Sequence, residues 1–119
     1  MAEGLKRGDV IVVSLPGDYG KPRPAVVVQQ LEDTFIETVI ICPLTSTLIA
    51  PGPVRPTITP ESANGLRIAS QVMVDKITTV KMEKAGQRIG ALSSSDMQAI
   101  DLSLATLLGL RETTVPSIG

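Results

Sequence analysis

The sequence has no histidine, no tryptophan, one cysteine, one tyrosine and one phenylalanine among 119 residues. Without histidine the usual proton shuttle at neutral pH is excluded, together with Ser-His and Cys-His nucleophiles and most zinc sites. Cys42 has no second cysteine to pair with, so an internal disulfide is excluded. Its position in the apolar run TVIICPL marks it as a buried, inert thiol. No apolar stretch approaches the roughly 20 residues that cross a bilayer, and no basic-then-apolar leader opens the chain; the expectation is a cytoplasmic protein without a membrane partner. Charge is nearly balanced as well. With 11 basic and 12 acidic residues the net charge is −1, so a site for a polyanion has to be local. The carboxylates are scattered, Glu32 and Asp33 being the one adjacent pair, which speaks against a metal-dependent nuclease or a glycosidase; no metal or other cofactor is expected.

What the sequence does have is β-branched aliphatic material in short runs. DVIVVSL (9 to 15) reads as a first strand that ends in the turn-rich PGDYGKP. AVVVQQ (25 to 30) and FIETVIIC (35 to 42) read as a hairpin joined at LEDT. The span from Thr47 to Asn64 carries four prolines and is barred from central sheet, although PTIT suits a short edge strand. RIASQVMVDKITTV (67 to 80) predicts two short strands or one bent strand, and RIGAL (88 to 92) a further brief one. SSSDMQAIDLSLATLLGL then places Met97, Ile100, Leu104, Leu107 and Leu108 on one face at helical spacing, with serines to cap the start and Gly109 to end it. Strands first and one terminal helix predict an α+β, mostly β domain built as a small antiparallel barrel, one domain over residues 1 to 119.

The stretch GKPRPAVVV clamps Arg23 between two prolines, which restrict its backbone to extended conformations. If Gln30 faces a residue near Phe35 or Ile36 across the hairpin, Arg23 falls opposite about Pro43, give or take two positions. The cluster Thr45 to Thr47 begins just beyond, so a fixed guanidinium and a hydroxyl are expected at one rim of the sheet, where they suit a phosphate. The plainer alternative is a solvated arginine in a stiff turn and a threonine that merely ends a strand.

Taken in order, KRGDVIVVSL, KPRPAVVVQ, VIICPLTST, SQVMVDKITTV and IGALSSSDMQAIDLSLATLLGL resemble the MazF/PemK (Kid-like) family of bacterial toxins, from about Lys6 to Leu110. The resemblance implies an SH3-like, CcdB-like barrel closed by a C-terminal helix and paired as a homodimer. It further implies the toxin of a type II toxin-antitoxin system, a metal-independent, sequence-selective endoribonuclease that cleaves single-stranded mRNA and is neutralised by a cognate antitoxin protein. The family arginine of the RP pair falls on Arg23 and the threonine after P[LIV]T falls on Thr45. Three features depart from the pattern: a short loop before Arg23, Met73 where Kid-like members carry an arginine, and Tyr19 as the one aromatic able to stack on a base near the site.

On this reading Arg23 stabilises the crowded phosphorus, since a guanidinium keeps its charge and is a poor proton shuttle. Thr45 donates to another phosphate oxygen. Asp75 or Asp18 is the candidate base, and Asp75 reads equally well as a residue that holds the groove in shape. Tyr19, Lys21, Arg55, Arg67, Ser70, Gln71 and Lys76 are the candidates for binding RNA. Two other classes share the architecture: a CcdB-like poison of DNA gyrase and a non-catalytic SH3-like binding module.

Overall fold

The computed structural model describes residues 4–30, 37–50, 52 and 54–110. Seven strands are present among them: β1 (Asp9–Ser14), β2 (Pro22–Val27), β3 (Thr38–Thr45), β4 (Thr57–Ile58), β5 (Ser70–Val72), β6 (Thr78–Lys81) and β7 (Arg88–Ala91). One α-helix, α1 (Ser94–Leu108), follows them. All pairings are antiparallel, in the order β4-β5-β3-β2-β1-β7, with β6 also on β3. β3 organises the sheet. It carries β2 on one side, and on the other it pairs first with β6 (Thr38 to Ile41) and then with β5 (Leu44 and Thr45). A 3-10 turn at Val74–Lys76 turns the chain between those two partners, anchored by Met73 N–H on Pro43 O at 2.8 Å.

The apolar runs are continuous rather than alternating because both faces of the sheet are covered. On one face Val10, Val26, Cys42, Leu44, Ile58 and Val72 pack with Met97 and Ile100 of α1. On the other, Ile11, Val13, Ala25, Val27, Val39 and Ile41 pack under Leu5 and Ala85. Cys42 is fully buried as expected, and burial, reinforced by the charge of Asp75, pushes its thiol up to about 12. It is inert at neutral pH.

The sheet curls so far that its two outer strands are brought together through a turn. Buried Asn64 builds that turn: its Oδ1 accepts from Glu61 N–H and Leu66 N–H, and its Nδ2 donates to Thr59 O, each at 3.0 Å. Ala91 N–H of β7 then donates to Ala63 O at 2.8 Å, which closes the barrel where strand pairing does not. Gly90 makes the approach possible, because a Cβ there would lie 2.4 Å from the carbonyl carbon of Asn64.

Several sequence expectations shift. β2 starts at Pro22 instead of Ala25, so Arg23 sits inside a strand. The register is offset by two: Ala25 faces Pro43, and the same ladder carried along both strands sets Arg23 level with Thr45. The hairpin turn at LEDT and the start of the third strand at Phe35 and Ile36 lie outside the described residues. The 67 to 80 stretch forms two strands, and the 3-10 turn breaks the alternation expected between them, burying Val72, Met73 and Val74 in succession. The cap of α1 is as expected: Ser93 Oγ accepts Asp96 N–H at 3.1 Å, and Gly109 ends the helix at φ 70°. Its apolar face is not. Leu107 and Leu108 are 40% and 55% exposed, and Ser103 is buried in their stead, because the sheet ends before the last helical turn.

Gly90→Ala is expected to force the 63 to 65 turn off β7 and cost about 1–3 kcal/mol in urea unfolding. Gly52→Ala, where the added methyl meets nothing nearer than 4.0 Å, is the matched control and should change little. Equal effects would contradict closure through this turn.

Candidate RNA-binding and catalytic site

The turn between β1 and β2 builds one wall of the site. Asp18 N–H donates to Leu15 O at 3.0 Å and Lys21 N–H to Asp18 O at 2.9 Å, with positive φ at Gly17 (93°), Tyr19 (52°) and Gly20 (77°). A tyrosine held in the left-handed region costs on the order of 1 kcal/mol, and this one is 97% exposed, so no packing of its own offsets the strain. The turn folds Asp18 back over β2 onto Arg23. Arg23 Nη2 donates to Asp18 Oδ1 at 2.9 Å, and Arg23 Nε stands 2.8 Å from Asp18 Oδ2 in an ionic contact too poorly aligned for a hydrogen bond. The guanidinium is therefore half-buried and clamped, but incompletely satisfied.

Arg23 and Thr45 line the same groove, of about 680 Å³. Thr45 ends β3, and its Oγ1 accepts Thr47 N–H at 3.1 Å, which leaves its hydroxyl proton to be donated outward. Asp18, Tyr19, Lys21, Arg67 and Ser70 line this groove too, so seven of the eleven residues singled out in the sequence meet there. Ser70 is buried and its hydroxyl donates to Ile68 O at 3.0 Å, which shapes the wall and leaves the oxygen as an acceptor. Arg67 and Ile68 are delivered by the Asn64 turn that closes the barrel.

The other four candidates lie elsewhere. Gln71 is buried, 1% exposed. Its side chain runs alongside the segment after β3 as a strand would, accepting Ile49 N–H at 3.1 Å and donating to Ile49 O at 2.9 Å, so it pins the residues after Thr45 and does not face the groove. The reason is that successive side chains of a strand point to opposite faces, so with Ser70 of β5 on the groove side Gln71 points away from it. Asp75 and Arg55 bind each other through two parallel hydrogen bonds of 2.8 and 3.0 Å and line neither large groove. Lys76 faces a second groove, described below. Sequence reasoning left the Arg23 to Asp18 contact unseen; the density of turn formers in PGDYGK was its one signal. Among the described residues, no three His, Cys, Asp or Glu side chains are grouped to hold a metal ion.

The Arg55 hydrogen bonds hold Asp75 below the usual carboxylate range, against a smaller opposing effect of burial. A carboxyl lowered in the folded state adds stability above its unfolded value, near 3.9, and that contribution is lost as pH falls through the folded value. Asp75 is thus a brace, with both oxygens engaged, and not a free proton acceptor. In Arg55→Gln its NMR titration should move up toward the ordinary range and acid unfolding should begin at higher pH; an unmoved titration would contradict the pairing.

A family model described as PemK-like, MazF-like toxin of type II toxin-antitoxin system matches residues 6–108. The chain is 34% identical over 107 residues to a probable endoribonuclease MazF of Mycolicibacterium smegmatis, covering 89% of this chain and 98% of that protein. Its fold is similar to a mycobacterial endoribonuclease solved in complex with its cognate antitoxin, with a TM-score of 0.76 at 24% identity over 92% of this chain and 99% of that one. It is also similar to a MazE-MazF structure from Deinococcus radiodurans, with a TM-score of 0.72 at 17% identity over 90% and 97% of the two chains. With the family model spanning nearly its whole length, the chain belongs to the PemK-like, MazF-like toxins of type II toxin-antitoxin systems.

Proposed function

We propose that this toxin is an endoribonuclease that cuts single-stranded RNA at the groove shared by Arg23 and Thr45, without a metal. The observation that carries the reading is the convergence of a strand-fixed guanidinium, whose buried Nε–H is left unbonded, and a hydroxyl free to donate in one open groove. A scissile phosphate entering there takes the place of the Asp18 carboxylate on Arg23, because a phosphate oxygen aligns with the fork of guanidinium donors better than Asp18 does. Thr45 donates to a second phosphate oxygen.

The displaced Asp18 carboxylate then stands beside the linkage as the proton acceptor. It takes the proton of the 2′-hydroxyl, the 2′-oxygen bonds to phosphorus, and the phosphorus to 5′-oxygen bond breaks. The 5′-oxygen takes a proton from water in the open groove, leaving a 2′,3′-cyclic phosphate and a 5′-hydroxyl. Asp18 serves in place of Asp75, whose oxygens are committed to Arg55. Tyr19 offers a face on which an unstacked base lies, and Lys21, Arg67 and Ser70 offer donors and an acceptor along the same wall.

The whole chain acts as one toxin domain in the cytoplasm, paired with a cognate antitoxin as is the mycobacterial endoribonuclease to which its fold is similar. Among the described residues no helix is long and apolar enough to cross a membrane. The exposed Leu107 and Leu108, with Leu102 and Leu110, give the end of α1 an apolar surface suited to a second copy in a homodimer. The gyrase-poison and binding-module readings lose their ground: the Mycolicibacterium relative carries the name probable endoribonuclease MazF and the groove retains both Arg23 and Thr45.

Purified protein incubated with a long mRNA in EDTA should produce recurrent cuts when 5′ ends are mapped. Arg23→Ala should reduce the rate by about 100- to 1,000-fold, the scale of losing a transition-state donor. Intact RNA with the wild type, or undiminished cutting by the variant, would overturn the reading.

A further inference from the structure

The contact between Arg23 and Asp18 forms a boundary between two grooves. Beyond it lies a second groove of about 660 Å³, into which Arg23 and Asp18 also face. Its character is different. Where the first groove adds a tyrosine ring to Lys21, Arg67 and its hydroxyls, this one has no aromatic ring and is bordered by Lys76, Lys81 and Lys84, with Asp18 as the one carboxylate on its lining. In a chain whose net charge is −1, three of its lysines gather along one groove.

These lysines come from three adjacent structural pieces: the 3-10 turn after β5, the end of β6, and the 3-10 turn at Met82–Lys84. The fold gathers them because β6 doubles back onto β3. None is in an ion pair among the described residues. Asp75 follows the same turn as Lys76 but is taken by Arg55 on both oxygens, and Glu37 and Glu83 border a separate hollow on the far side of Lys81. Among the described residues no direct ion pair thus ties the three lysines, although Lys76 stands in the field of Asp75 and Lys81 also borders the hollow of Glu37 and Glu83.

We propose that this groove is a track for the sugar-phosphate backbone of RNA on one side of the scissile linkage, while the first groove receives bases on the other. The inference rests on the endoribonuclease reading above. A single strand crossing Arg23 would be read for sequence on the Tyr19 side and held chiefly by charge on the lysine side, since compact ammonium groups on flexible stems favour phosphate without discriminating bases.

The test uses the intact protein and short fluorogenic RNA oligonucleotides centred on a cut site mapped from a long transcript. Four uridines are added at either the 5′ or the 3′ end. For the wild type, extension at one end alone should lower KM by about tenfold, and the variant carrying Lys76→Ala, Lys81→Ala and Lys84→Ala should lose that gain. Its dependence of log(kcat/KM) on log salt should be shallower by about 2, as three lost phosphate contacts on a single strand require, and its cut positions should stay the same. Should the triple variant fail to fold by circular dichroism, Lys84→Gln alone should flatten the dependence by about 0.7. A wild-type extension gain and salt dependence in the folded variant, or an equal gain from both ends, overturns the track while leaving the nuclease in place. No cutting by the wild type overturns both.

Discussion

The arrangement of this toxin turns on the contact between a strand-borne guanidinium and a carboxylate that the preceding turn folds back upon it. Pro22, Arg23 and Pro24 lie in β2, where backbone ladder and proline ring together leave the arginine little freedom. Asp18 meets it from a turn that spends backbone strain at Tyr19 to get there. The ion pair is short yet misaligned, with Arg23 Nε and Asp18 Oδ2 in ionic contact but without a hydrogen bond. A buried donor in that condition is stabilised by any anion that fits better. The resting contact therefore keeps the charge in place while leaving it open to exchange, and the two grooves meet at that point.

The rest of the fold serves to present this pair. Covering both faces of the sheet fixes β1, β2 and β3 as a rigid platform, and the switch of partners along β3 carries Thr45 to the rim beside Arg23. Two polar devices then hold the loops around the platform. Gln71 fastens the segment after Thr45 by two hydrogen bonds to Ile49, and Asn64 fastens the turn that supplies Arg67 while closing the barrel against Gly90. Arg55 and Asp75 tie the proline-rich segment to the 3-10 turn that carries Lys76. Each is a side chain whose polar groups are used internally, which removes it from the surface available to RNA.

Local features were readable in the sequence in proportion to how local their causes are. Proline restriction and β-branched runs identified the strands, and hairpin register brought Arg23 and Thr45 to one rim within the two-position offset observed. Serine capping and helical spacing identified α1, but where the helix outruns the sheet depends on the size of the sheet, so the exposure of Leu107 and Leu108 was not visible. Gln71 and Arg55 carry the same polar groups whether they face water or a partner. Their roles were settled by long-range pairing of β5 with β3 and β4 and by the ion pair with Asp75. Asp18 was one of two candidate bases from sequence, and its contact with Arg23 needs positive φ at Gly17, Tyr19 and Gly20, which glycine permits but tyrosine does not announce.

The most direct measurement is a crystal structure of this chain with an RNA strand carrying a 2′-deoxy nucleotide at the cut position, which blocks the reaction but keeps the phosphate. The account predicts one phosphate with its oxygens within about 3 Å of both the Arg23 guanidinium and Thr45 Oγ1, and the Asp18 carboxylate withdrawn from Arg23 toward the 2′ position. RNA seated elsewhere, with Arg23 still bound to Asp18, would contradict it.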